Sequence, residues 1–150
     1  MPQSFVCLHA HLIFSTKNRE PLIPVETAPR LFEYIGGICR ADGNALVAAG
    51  GTSDHVHLLV SFAKRACAAD LVRNIKSNSS GCIHDQFLQL RGFAWQAGYG
   101  AFGVSWSQIQ GVRDYIARQQ EHHRVKSFQE EFLAFLERHR IPYDERYIWD

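Results

Sequence analysis

Asp54-His55-Val56-His57-Leu58-Leu59-Val60 alternates as a β-strand does: Val56, Leu58 and Val60 fall on one face, and His55 and His57 stand side by side on the other. Two imidazoles so placed can chelate a divalent metal ion. Upstream, Gly50-Gly51-Thr52-Ser53 is a hairpin turn that joins this strand to an earlier one over Leu46 to Ala49. Further back, Val6, Leu8, Ala10, Leu12 and Phe14 alternate with Cys7, His9, His11 and Ser15, the period of a first strand with one buried face. Between these strands, Leu31, Tyr34, Ile35 and Ile38 recur at helical spacing from Thr27 to Arg40, and Gly43 suits the stop.

Downstream, Ala68, Leu71, Val72 and Ile75 mark a second helix that fades into the polar run Lys76-Ser77-Asn78-Ser79-Ser80-Gly81. Phe93 to Gln96 and Ala101 to Ser105, separated by Gly98-Tyr99-Gly100, read as a further strand pair or one irregular strand. Ser107 is placed to cap a third helix with the stripe Ile109, Val112 and Ile116, and Tyr115 sits at the edge of that stripe. Ser127 with Glu130 matches a capping box for a fourth helix, which buries some of Phe128, Phe132, Leu133, Phe135 and Leu136 before Pro142.

The order β-α-β-β-α-β predicts an α+β fold of the ferredoxin-like, RRM-like kind. Its four- to five-stranded antiparallel sheet carries helices on one face, plus a helix bearing Tyr115. In that topology the first and third strands are central neighbours and the other sheet face is free. His55, His57, His9 and His11 are then expected to gather on the open face. The phenylalanines of the fourth helix exceed what a small sandwich readily buries alone, which points to a dimer surface.

At 150 residues with 46% hydrophobic content, the chain is read as a single domain, residues 1–150, with ample core. Net charge is +1, but residues 1–126 hold 13 Lys and Arg against 9 Asp and Glu, and residues 127–150 hold 3 against 6. A mildly basic body with an acidic tail is compatible with a nucleic-acid face. Cys7, Cys39, Cys67 and Cys82 form no Cys-x-x-Cys pair, so they read as reduced core thiols rather than a zinc or redox site. The early apolar stretch lacks a basic leader, and nowhere do ~18 apolar residues run together, so a cytoplasmic location is expected.

On the third helix, Tyr115 and Gln119 lie one turn apart. A phosphodiester repels nucleophiles, and a metal ion neutralises the charge that develops and orients the phosphate. Two neutral imidazoles and an amide oxygen keep a Mg2+- or Mn2+-type ion cationic and leave positions open for substrate. Tyrosine, with a pKa of ~10, needs that ion or basic neighbours to become a nucleophile near neutral pH. Arg118, Lys126 and Lys76 are the candidates nearby.

The Asp-His-Val-His-Leu-Leu-Val stretch, Trp95-Gln96-Ala97-Gly98-Tyr99-Gly100-Ala101-Phe102, Tyr115-Ile116-x-x-Gln119-x-x-His122-His123 and Tyr143-Asp144-Glu145-Arg146-Tyr147 together resemble the HUH-type single-tyrosine transposases. The narrower likeness is to the insertion-sequence-200-like group, which includes repeat-associated tyrosine transposases. The resemblance spans nearly the whole chain in the family's order. It implies His55, His57 and Gln119 as metal ligands and Tyr115 as the nucleophile on single-stranded DNA, leaving a 5′-phosphotyrosine and a free 3′-OH. It also implies a Mg2+ or Mn2+ cofactor, a hairpin-bearing DNA partner, and a homodimer in which one copy's tyrosine helix can complete the other's site. The Gly50-Gly51 lead-in departs from the bulkier apolar residues expected there.

Taken singly, each residue has a plainer reading: His55 and His57 as sheet histidines, Tyr115 as packing, His122 and His123 as surface residues. His9, His11, Lys17, Arg19, Lys76 and Arg118 are candidate DNA contacts, against sheet packing, a solvated turn or a helix end. The function expected is cleavage and rejoining of single-stranded DNA. Its alternatives are a domesticated repeat-hairpin nickase with the same site, a noncatalytic single-stranded nucleic-acid-binding module, and a water-using phosphoesterase.

Overall fold

A computed structural model describes residues 3–150. In chain order the elements are β1 (His9–Ser15), α1 (Ala28–Ala41), β2 (Ala45–Gly51), β3 (His55–Ser61), α2 (Ala68–Gln86), β4 (Gly100–Val104), α3 (Ile109–Ala117), α4 (Gln119–His122) and α5 (Phe128–Arg138). The strands form one antiparallel sheet in the order β2-β3-β1-β4, so the expected α+β fold with β1 and β3 at the centre is present. Residues paired across antiparallel strands point to the same face. Leu12 pairs with Leu58 and Phe14 with Val56, and this face packs on Leu31 and Ile35 of α1 and on Leu71, Ile75 and Ile83 of α2.

The opposite face is covered rather than free. Ile13 pairs with His57 and Ser15 with His55, and over this face lies a second apolar cluster of Ile13, Phe102, Phe128, Phe132, Phe135 and Leu136. The stripe at positions 128, 132, 135 and 136 of α5 has helical spacing and needs an apolar seat. It finds one on its own sheet, so these phenylalanines are not a surplus that requires a second copy to bury them. The capping box that starts α5 is formed: Ser127 Oγ accepts from Glu130 N at 3.1 Å, and Glu130 Oε1 accepts from Ser127 N at 3.4 Å.

Three local expectations differ. Helix α2 does not fade at the polar run but continues to Gln86, because Ser79 and Ile83 fall on its buried face and Ser79 Oγ accepts from Trp95 Nε1 at 3.0 Å. Burial thus overrides weak intrinsic propensity. Residues 93–96 contribute only an isolated bridge between Trp95 and Thr16, which leaves β4 as the fourth strand. Ser107 lies inside a 3-10 turn, Trp106–Gln108, and α3 begins without a side-chain cap. Of the cysteines, Cys39 alone is buried, and Cys7 and Cys67 are exposed.

Gly50 explains why the lead-in to β3 lacks bulk. It pairs with His57, and a Cβ built on it would stand 2.5 Å from the Ile116 carbonyl oxygen and 2.9 Å from Ile116 Cγ2. Helix α3 therefore rests on bare β2 backbone, and Tyr115, one residue before Ile116, is delivered beside His57. Replacing Gly50 by Val is expected to push α3 off the sheet and to cost about 1–3 kcal/mol, as overpacking does. Gly111, on the same helix, has open space around it. Gly111→Ala should instead gain up to about 1 kcal/mol from helix propensity. Urea denaturation of the two variants checks both signs.

Candidate metal centre and nucleophile

His55 and His57 are both fully buried beneath α3, α4 and α5. Each ring is held from behind. His55 Nδ1 donates to Asp54 Oδ1 at 2.7 Å, with Thr52 Oγ1 at 3.0 Å, so its Nε2 carries the free lone pair. A carboxylate behind a histidine is the usual way of orienting a metal-binding ring. His57 Nδ1 faces His11 Nε2 at 2.8 Å. His11 can give or take that bond, so His57 keeps a partner whichever nitrogen bears its proton.

In front of the rings the donors converge. Gln119 Oε1 lies 3.3 Å from His55 Nε2 and 3.0 Å from His123 Nε2. Glu131 Oε1 lies 2.9 Å from His57 Nε2, 3.1 Å from His123 Nε2 and 3.7 Å from His55 Nε2. Ligand atoms of His55, His57, His123 and Glu131 all fall within 4.8 Å of one another. Imidazole nitrogens with carboxylate and amide oxygens, gathered out of water, suit a divalent cation. The donor set therefore fits the metal that the sequence led us to expect.

The phenol joins the same cluster. Tyr115 Oη donates to Glu131 Oε2, which also accepts from Gln119 Nε2 at 3.2 Å, and His122 Nε2 is 3.4 Å from Oη. Burial alone would raise the Glu131 pKa, but hydrogen bonds from His123, His57 and Tyr115 hold it well below the usual carboxylate range. Burial, followed by the Glu131 hydrogen bond and charge, pushes the Tyr115 phenol up. Burial lowers His57 to about 4, and burial and then His57 lower His11 to about 3. His57 and His11 are thus neutral, and the phenol is protonated. Tyr115, His122 and Glu131 open on a cleft of about 350 Å³ whose walls include Lys126 and Arg138.

The structure brings together Tyr115, His55, His57, Gln119 and His11. It places the other expected residues elsewhere. His11 is almost fully buried with its Nε2 against His57 Nδ1, which lets it orient that ring, and it also borders the cleft beside Tyr115. His9 lies toward Trp106, with ring centroids 6.0 Å apart, outside the cluster. Lys76 Nζ donates to the carbonyls of Gln96 at 2.9 Å, Ala97 at 3.2 Å and Gly98 at 2.6 Å, and burial lowers it to about 8. It clamps that loop. Arg19 stacks on Trp149 at 5.4 Å, while Lys17 and Arg118 are exposed.

Glu131, His123 and Asp54 went unassigned in the sequence reading. Asp54 was visible as the residue preceding the histidine pair. Glu131 had a sharper signal, a carboxylate inside the apolar stripe of α5, between Phe128 and Phe132. His123 was visible in the His122-His123 pair four residues past Gln119, while Tyr115 and Gln119 fall on separate helices, α3 and α4, that meet at Arg118.

Residues 4–119 match the family described as "Transposase IS200 like". The ISDra2 transposase TnpA of Deinococcus radiodurans is 27% identical over 119 residues, covering 76% of this chain and 85% of that protein. A crystal structure from Deinococcus radiodurans R1, described as that of a transposase candidate, superposes with a TM-score of 0.62 at 27% identity, over 79% of this chain and 96% of that one. The structure of a REP-associated tyrosine transposase bound to a REP hairpin shares the fold, with a TM-score of 0.61 at 14% identity over 82% and 73% of the two chains. With more than half of its length matched, the chain belongs to the IS200-like transposase family.

Proposed function

We propose that the protein cleaves and rejoins single-stranded DNA through a covalent tyrosine intermediate, with Mg2+ or Mn2+ as cofactor. The observation that carries this reading is the meeting of the Tyr115 hydroxyl with the His55, His57 and Gln119 donors in one buried cluster. His55 Nε2, His57 Nε2 and Gln119 Oε1 are the atoms to hold the ion. When bound, that ion would offset charge on the scissile phosphate and orient it. Asp54 and His11 keep the two rings aimed.

Tyr115 Oη attacks the phosphorus, the bond from phosphorus to the 3′ oxygen breaks, and the strand's 5′ phosphate is left on the tyrosine. The phenol proton has two acceptors in reach, Glu131 Oε2 and His122 Nε2. The departing 3′ oxygen takes up a proton to become the hydroxyl. Because the phosphotyrosine retains the ester bond, a second 3′-OH can reverse the step and join strands without ATP. Lys126 and Arg138, on the wall of the cleft beside Tyr115, supply positive charge for the DNA backbone, and exposed Arg118 adds to it.

Hairpin DNA fits this reading, since a neighbour in fold is a transposase bound to a REP hairpin. A domesticated nickase would use the same residues. The homodimer with exchanged tyrosine helices belongs to the proposal too, although here Tyr115 meets the histidines of its own chain. No helix among the described residues is long and apolar enough to cross a membrane.

A labelled single-stranded oligonucleotide should leave its 5′-phosphate side attached to the protein, stable to denaturant, and Tyr115→Phe should abolish that adduct. The lost hydrogen bond to a carboxylate should cost roughly 1–3 kcal/mol of stability. An undiminished adduct in Tyr115→Phe would move the nucleophile elsewhere, and cleavage without adduct would indicate a water-using phosphoesterase.

A second expectation concerns protons. Because His57 and His11 stay neutral to about 4 and about 3, the unfolded chain takes up their protons below about pH 6.5 and the folded chain does not. Stability of the chelator-treated protein should therefore fall as pH drops from 6.5 toward 4. His123, whose pKa is raised despite burial by its bond to Glu131, adds its stabilisation mainly as pH falls toward 6.5, above this interval. Melting temperatures that rise over this interval would contradict the neutral assignment.

A further inference from the structure

The ligand set His55, His57 and Gln119 is electrically neutral, and Glu131 changes that. Glu131 lies on α5, beyond the segment that matches the family, and its side chain is only 2% exposed. Its neighbours in the stripe are Phe128 and Phe132. Removing a carboxylate from water costs several kcal/mol unless partners replace the hydration. Every partner Glu131 has belongs to the site: His57 and His123 on Oε1, and Tyr115, Gln119 and His122 on Oε2. Oε1 stands in front of the same Nε2 atoms that face the expected ion, 2.9 Å from His57 and 3.7 Å from His55. An oxygen so close to both ring nitrogens lies within reach of whatever those nitrogens bind.

We propose that Glu131 is a metal ligand through Oε1, supplied by α5, and that it loads the divalent cation before DNA arrives. The proposal rests on the reading that this site uses a divalent ion. Two imidazoles and an amide offer no charge to hold a hard cation, so a site built from them alone would draw on DNA phosphate to retain it. A carboxylate supplies that charge within the protein. With Oε1 on the ion, Oε2 remains for the Tyr115 hydroxyl, so one side chain sets the distance between nucleophile and metal.

The test is a calorimetric titration of the full chain with Mn2+ in the absence of DNA, with strand cleavage measured on the same preparations. Wild type should bind one Mn2+ at this site. Glu131→Gln, which keeps shape and removes charge, should weaken binding at least tenfold while circular dichroism stays unchanged. Glu137→Gln, at an exposed position on the same helix, should bind as wild type does. If Glu131→Gln fails to fold, infrared difference spectra of wild type labelled with 13C-carboxyl glutamate give the answer. Mn2+ should shift a labelled glutamate carboxylate band.

Unchanged affinity in folded Glu131→Gln, no labelled shift, or Mn2+ uptake by wild type only with DNA present would overturn the proposal. Glu131-dependent Mn2+ binding without strand cleavage would keep the ligand and remove the strand-transfer reading. Cleavage with Mn2+ binding indifferent to Glu131 would do the reverse.

Discussion

The buried carboxylate of Glu131 is the contact on which the site's geometry depends. Side chains from β3, α3, the helical turn of α4 and the segment after it converge on it: His57, Tyr115, Gln119 and His123 hydrogen-bond to it, and His122 Nε2 lies 3.3 Å away. A carboxylate out of water with any of these missing would carry uncompensated charge, so the arrangement is tight in both directions. The carboxylate fixes where the rings and the phenol point, and they in turn make it possible to seat α5 on the sheet with a charge in its apolar stripe. The phenylalanines around it supply the favourable burial, since Phe128 and Phe132 pack in the second cluster with Ile13 and Phe102.

A second constraint brings the tyrosine helix to that carboxylate. Helix α3 is short, nine residues, and has no side-chain cap, so its position is decided by packing rather than by its own stability. The missing side chain at Gly50 lets Ile116 sit against β2 backbone directly beside the His57 row. What looks in the sequence like a weakened lead-in to the histidine strand is the space into which the tyrosine helix fits. The same closeness buries His57 completely. A histidine expected on an open sheet is instead part of a core, where truncation to Ala would leave a cavity.

Much of this was legible from periodicity. The two-residue alternation of β1 and β3 and the helical spacing of α1 and α5 placed the sheet order, the first core and the capping box, because each of those signals is local. The far side of the sheet was not legible. Whether the phenylalanines of α5 face their own sheet or a second copy depends on where the chain turns after α3, and nothing in residues 118–127 announces that path. The site followed the same division. His55, His57, Tyr115 and Gln119 could be read together, and His123 stands four residues past Gln119, whereas Glu131 reaches the cluster only through the turn that brings α5 back. The polar run in α2 misled for a related reason: Ser79 has a buried partner, Trp95, that lies 16 residues away.

Electrostatics links nucleophile and metal more closely than spacing suggests. As the chain stands, burial and the negative charge of Glu131 both keep the Tyr115 phenol protonated. The same charge that makes the pocket attractive to a cation therefore opposes the phenolate. A divalent ion at the histidines would reverse the sign of that local field, because its charge exceeds that of the one carboxylate. On the proposed reading, Tyr115 would be a poor nucleophile in the ion-free protein and a better one in the loaded protein. An arrangement in which the hydrogen-bond acceptor of Tyr115 also faces the His55 and His57 nitrogens would couple ion binding and nucleophile activation at a single side chain. That coupling gives a physical reason for a carboxylate, rather than another amide, to occupy position 131.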